Sequence, residues 1–347
     1  MAKLDGGDDE NGMTMRDGLS RRSFLAGTAA AAAAIHVPAQ VRAAAPLRVG
    51  YSAWPGWFPM KVAEQEGLFK RNGVDVEMVW FDDYTASIDA LTAGKIDGNG
   101  ETTNDAISSQ AGGAKRMIVL TTDNSSGNDQ IIAKKSIPSV KALAGKSVAV
   151  EYGLVDHFLL LLALQKAGVP QSAVTIKRLP TDQAAAAFAS GKVDACAVWA
   201  PFTTTAMKTG IGHVLESSRD FPGAIPDHFV FAPAVVKNRP ADVQGFVNTW
   251  FDTLAYIKAN PRQSLEIMAK RAGVSVSDYV SYDKGTRIFG LAQNLEAFTP
   301  GHDMTHLNYS GKMMAQFLVQ TGLAKHLVDV DSMLDPSFVK AYAARHA

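Results

Sequence analysis

Apolar and polar positions alternate with period two over residues 47–51, then switch to a 3.6-residue rhythm over 58–69, with Pro55 and Gly56 breaking the chain between them. This predicts a strand followed by a helix and puts Trp54 and Trp57 at the strand's carboxyl end, the edge where open α/β sheets bind ligands. The grammar continues with a strand at 74–81, a helix at 84–93 stopped by Gly94, and a third strand opening at Ile96-Asp97-Gly98. It is then written again: strand 147–152, helix 155–167 stopped by Gly168, strand 174–179, helix 182–189, and a strand opened by Gly191-Lys192-Val193-Asp194. The phrase Ala-Gly-Lys-Ile-Asp at 93–97 recurs as Ser-Gly-Lys-Val-Asp at 190–194.

Two β-α-β-α-β units predict two α/β lobes with a ligand cleft between them. The apolar run 130–134 reads as the way out of lobe one, and 229–232 with 234–236 as the way back. Two such strands make a hinge. Beyond Pro240 the 3.6-residue rhythm returns at 243–259, 263–272, 309–320 and 337–345, helices expected to pack on lobe one. The expected division is 1–43 leader, 44–131 lobe one, 132–233 lobe two and 234–347 the return to lobe one.

The leader rests on Ser20-Arg21-Arg22-Ser23-Phe24-Leu25, which has the pattern of a twin-arginine export signal. An alanine-rich apolar run follows at 26–35, with small-residue exits at Val41-Arg42-Ala43 and Ala43-Ala44-Ala45. It predicts a periplasmic protein, without a lipid anchor because no cysteine stands at the exit. Lys plus Arg and Asp plus Glu both number 34 in the 347 residues, so no basic surplus points to nucleic acid. Cys196 is the lone cysteine and lies in an apolar strand, which excludes a disulfide framework and argues against a thiol nucleophile. Gly145-Lys146-Ser147 precedes a strand instead of following one and fails as a phosphate loop. His302 and His306 have metal spacing but no third ligand nearby, so no metal or cofactor is expected.

The twin halves, the phrase Ala-Glu-Gln-Glu-Gly-Leu-Phe-Lys-Arg-Asn-Gly-Val-Asp-Val-Glu at 63–77 and the two Gly-Lys-(Ile/Val)-Asp turns resemble the periplasmic solute-binding proteins of ABC transporters of the nitrate/sulfonate/taurine type, over about residues 46–260. Gly50-Tyr51-Ser52-Ala53-Trp54-Pro55-Gly56-Trp57, Val79-Trp80-Phe81-Asp82, 124–129 and 153–157 resemble a subgroup associated with urea carboxylase and guanidine use. The resemblance implies a type II periplasmic-binding-protein fold. It also implies a non-catalytic monomer whose closed form docks on a membrane permease.

The loops that strand ends place at the cleft hold Asp82, Asp83, Glu101, Asp105, Asp123, Asp129, Glu151, Asp156 and Asp182, but no lysine or arginine. His157 is the one potential cation there, with the first turn of a helix as its plain reading. Carboxylates can accept the paired N–H donors of a flat cation, and tryptophan faces attract its charge. The expected ligand is therefore a guanidinium-like or urea-like solute. The candidates to contact it are Trp54, Trp57, Asp82, Glu101, Thr102, Asn104, Asp123, Asn124, Glu151, Asp156 and Trp199.

Each also has a structural reading. Asp82, Asp105, Asp156 and Asp182 sit where helix caps do, Asp123 and Asn124 where turns form, and Gly98-Asn99-Gly100 reads as a flexible approach to Glu101. Capture of nitrate, taurine or another aliphatic sulfonate is the alternative. Two others are a thiamine-pyrimidine-precursor binding protein or enzyme on the same fold, and a sensing module of a membrane receptor.

Overall fold

The computed structural model describes residues 45–346; the leader and its twin-arginine motif lie outside the described residues. Strand β1 (Leu47–Tyr51) runs through a single turn of 3₁₀ helix, Pro55–Trp57, into α1 (Pro59–Gln65) and α2 (Leu68–Arg71). The helix expected over 58–69 is split because Gly67 takes φ 68°, a left-handed conformation that ends α1. Next come β2 (Val76–Trp80), α3 (Tyr84–Thr92), β3 (Gly98–Thr102), α4 (Thr103–Ala111) and β4 (Met117–Ser125). The second lobe is β5 (Asp129–Lys134), β6 (Ser147–Val150), α5 (Val155–Lys166), β7 (Thr175–Arg178), α6 (Thr181–Ala189), β8 (Ala195–Trp199), α7 (Phe202–Met207) and β9 (Gly212–Ser217). The return comprises β10 (Pro226–Phe231), α8 (Pro233–Asn238), α9 (Pro240–Ala259), α10 (Pro261–Ala272), α11 (Val276–Asp283), β11 (Thr286–Ile288), α12 (Leu291–Phe298), α13 (Leu307–Gln320) and α14 (Ser337–Arg345).

One sheet has the order β11-β4-β10-β3-β1-β2 and the other β7-β6-β8-β5-β9. The echo in the sequence is the parallel part of each. β2-β1-β3 pairs Val49 with Gly98, and β7-β6-β8 pairs Val148 with Ala195. Antiparallel strands then extend both sheets.

The crossings sit earlier than the apolar runs implied. β4 belongs to the first sheet and β5 already to the second, so the outward crossing is 126–128 and not 130–134. β10 already pairs in the first sheet, so the return crossing is 218–225. Residues 234–236, read as strand, lie in α8, where Pro233 takes the first helical turn with its fixed φ and missing N–H.

The first lobe's core gathers Phe229 and Phe231 of β10 against Phe246 of α9, with ring centroids 5.0 and 5.4 Å apart, beside a fully buried Trp250. α14 packs on α9 and β4, as expected of a return to lobe one. α13 does more: it lies on α4 of the first lobe, and its Phe317 meets Phe158 of α5 edge-on at 5.3 Å across the two lobes.

Candidate functional site

The turn after β1 is built tightly. Pro55 starts the 3₁₀ turn, and the Trp54 indole Nε1 donates to the Asp123 carboxylate at 3.1 and 3.3 Å. A Cβ on Gly56 would lie 1.8 Å from Asp123 Oδ2, and one on Gly100 would lie 2.7 Å from the Trp57 indole. Thus Gly98-Asn99-Gly100 is not a flexible loop but buried strand β3, whose missing side chains admit the rings of Phe231 and Trp57. Gly56→Ala is expected to cost about 1–3 kcal/mol by overpacking, read as a lowered midpoint in a thermal melt.

Between the sheet edges lies a small cavity lined by Ser52, Trp54, Trp57, Tyr84, Thr102, Asp129, Val155, Trp199, Ile225 and Asp227. Trp57 and Tyr84 stand 5.8 Å apart, and Trp199 meets Tyr84 edge-on at 5.7 Å, so one aromatic wall joins the two lobes. The room left to the centre of a water molecule is about 10 Å³, the scale of one water sphere. No lysine, arginine or histidine is among the lining residues.

Acids crowd this cavity. Asp129 and Asp227 line it, and each keeps one buried oxygen without a hydrogen-bond partner. Asp156, in the first turn of α5, is fully buried, and neither of its oxygens finds a donor. Asp123 and Asp227 face each other on β4 and β10, and the charge of Asp123 helps to raise Asp227. Burial pushes Asp123 and Asp129 up to about 7 and Asp105 to about 8. It lifts Asp156 and Asp227 well above the carboxylate range, with neighbouring carboxylates adding to the effect. The Trp57 indole N–H is also buried without an acceptor.

The nearby imidazoles carry no charge at neutral pH. Burial, helped by Arg178, lowers His157 to about 4, and burial lowers His228 to about 3. His157 accepts the Gly153 N–H at Nδ1 and stacks on Tyr152, which bears out its plain structural reading.

Of the residues expected at the ligand, Trp54, Trp57, Thr102 and Trp199 line the cavity. Asp123 and Asp156 stand just behind its wall: Asp123 holds Trp54, and the charges of Asp129 and Glu151 press on Asp156. The others are placed differently. Glu101 is fully buried but pairs with Arg116, whose Nε lies 3.0 and 3.1 Å from its two oxygens, so its charge is matched behind the sheet. Arg116→Met would strand that carboxylate and is expected to cost about 3–5 kcal/mol of stability, measurable by urea unfolding.

Asp82 is exposed and accepts the Trp80 indole N–H at 2.7 Å, while Asp83 caps α3. Asn104 donates to Asp105 at 2.7 Å and only orients it. Asn124 opens onto a different cavity. Glu151 bridges the lobes at the rim, accepting from Thr85 at 2.6 Å and Thr181 at 2.7 Å. The reading of the chain did not choose Ser52, Tyr84, Val155, Ile225 or Asp227 as lining residues, and it counted Asp129 at the cleft without choosing it.

Two sheet-bearing lobes joined by two crossings, with a small cavity between them, make up the architecture of the two-lobed periplasmic binding proteins. The chain belongs to the NMT1-like family, which it matches over residues 42–272. It is 30% identical over 231 residues to a protein of Brucella abortus (strain 2308) provisionally named a binding protein, covering 65% of this chain and 71% of that one. It is 26% identical over 238 residues to the taurine-binding periplasmic protein of Escherichia coli (strain K12), covering 65% and 73%. The alkanesulfonate-binding protein SsuA from Xanthomonas axonopodis pv. citri, solved bound to MOPS, superposes with a TM-score of 0.72 at 21% identity over 84% of this chain and 99% of that one. That likeness shows the shared fold.

Proposed function

We propose that this chain is the periplasmic receptor of an ABC importer and captures a small amino-bearing cation, guanidinium-like in shape. The observation that carries the reading is the set of buried carboxylate oxygens without donors on Asp129, Asp156 and Asp227, beside a cavity that no cationic side chain lines. A guanidinium presents its donors in one plane and can serve two carboxylates at once, while the faces of Trp57 and Trp199 hold its charge. The group is bound and released without covalent change. Lobe closure is carried by the Glu151–Thr85 bond and the Tyr84–Trp199 contact, and a permease is the partner that would receive the closed form.

Binding of taurine, another aliphatic sulfonate or nitrate is the second reading. The E. coli relative and the SsuA structure favour it. The acids oppose it, because a buried anion beside ionisable carboxylates needs a compensating cation. Calorimetric titration of the purified protein with guanidinium, urea, taurine and nitrate separates the two. Micromolar or tighter binding of guanidinium alone supports the proposal, and binding of taurine or nitrate in its place sinks it.

A further inference from the structure

A second cavity, of about 170 Å³, lies on the hinge side of the first lobe. It is larger than the roughly 150 Å³ that encloses a benzene in an apolar core. Three neighbouring strands build its floor in register. On β4, Asn124 stands opposite Arg287 of β11 on one side and Pro226 of β10 on the other. Directly paired residues share a face of the sheet, whereas Asp123, one residue earlier, points to the opposite face and holds Trp54. The end of β4 therefore serves the interlobe cavity with one side chain and this cavity with the next.

The walls come from both crossings: Ser126 from the outward one, Arg219 and Pro222 from the return. Glu296 of α12, an exposed carboxylate, also lines the cavity. Among the described residues, neither Arg219 nor Arg287 has a carboxylate within ion-pair distance. Arg219 spends one donor, Nε, on the Ser126 carbonyl at 3.3 Å, and Arg287 lies over the Phe289 ring at 5.6 Å. Asn124, 8% exposed, donates its amide N–H to the Ser125 carbonyl at 2.7 Å, which fixes the side chain beside the two arginines.

We propose that this cavity is a second ligand site, taking a small doubly charged oxyanion across the Arg219 and Arg287 guanidiniums. Planar guanidiniums match the oxygen pairs of a carboxylate or phosphate. A ligand held there ties both crossings to β11, and those crossings must change conformation when the lobes part, so its occupancy biases opening and closing.

The test is calorimetry on the purified protein with malonate, inorganic phosphate and, as a singly charged control, acetate, at constant ionic strength. Saturable binding of malonate or phosphate, about tenfold or more tighter than acetate, is expected, and whichever binds tighter names the source as carboxylate or phosphate. Arg287→Gln and Arg219→Gln should each weaken it about tenfold or more while the thermal midpoint stays within about 2 °C of the parent. No saturable dianion binding, equal binding of acetate, or unchanged binding in both variants overturns the site. None of these readouts uses the interlobe cavity, so the result is independent of which solute that cavity takes.

Discussion

Asp156→Asn is expected to weaken guanidinium binding by about two orders of magnitude while raising the thermal midpoint of the ligand-free protein at pH 8. Both effects come from the same geometry. Asp156 sits fully buried in the first turn of α5, with no donor to either oxygen and with Asp129 and Glu151 as charged neighbours. In the ligand-free fold its charge is disfavoured by burial and by those carboxylates, so folding costs either a proton taken up or an ion left bare. An asparagine of the same shape removes that cost. With a cation in the cavity the balance reverses, because the carboxylate then has a partner. Removing one member of a buried charge pair costs about 2–5 kcal/mol, roughly thirtyfold to several thousandfold in affinity. Calorimetry and a thermal melt on the same sample check both halves. Parental affinity for guanidinium, or a gain in taurine affinity alongside it, would show that Asp156 serves no cation.

Much of this was legible in the chain, for a definite reason. The parallel halves β2-β1-β3 and β7-β6-β8 are joined by short helices, and the switches from period two to 3.6 after β1, β6 and β7 are marked by Pro55 and Gly56, Gly153 and Pro180. That placed Trp54, Trp57 and Trp199 at strand ends, where the cavity is. The antiparallel additions left weaker marks. β10 is buried on both faces, so it shows no alternation, and it begins Pro226-Asp227-His228, a polar trio that reads as turn. Asp227, which lines the cavity, went unseen with it. A strand is expected to open at Ile96-Asp97-Gly98, but the glycines of β3 make its continuation read as a flexible run, although those glycines exist to seat two aromatic rings.

Counting cleft charges by loop also overstated the free acids. The partner of Glu101 is Arg116, which sits between α4 and β4 and outside every loop assigned to the cleft. Asn124 went astray by one residue of strand alternation: Asp123 and Asn124 are adjacent in sequence and serve opposite faces of the sheet. Burial, in contrast, is a tertiary fact. Nothing in the spacing of Asp129 and Asp156 announces that one oxygen of the first and both of the second end without donors.

The protons those acids hold lead to the second large effect. Near pH 7, guanidinium binding is expected to release protons to solvent, whereas capture of a sulfonate would take them up. Asp123 and Asp129 titrate near 7 and Asp105 near 8, all raised from the ordinary value of 3.8 by burial. A carboxyl with a raised folded-state value contributes its full stability below about 4, and that contribution is lost as the pH rises through 7 to 8. The ligand-free protein should therefore be more stable at pH 5.5 than at pH 8. A bound cation favours the ionised carboxylates, so its affinity must rise over the same window, by up to about tenfold per pH unit for each proton released. An anion would follow the opposite slope. Titration at pH 7 in two buffers of different ionisation enthalpy reads the sign directly from the difference in heat. Proton uptake on binding would assign the interlobe cavity to an anion whatever the affinity, because the sign depends only on the charge that the carboxylates meet.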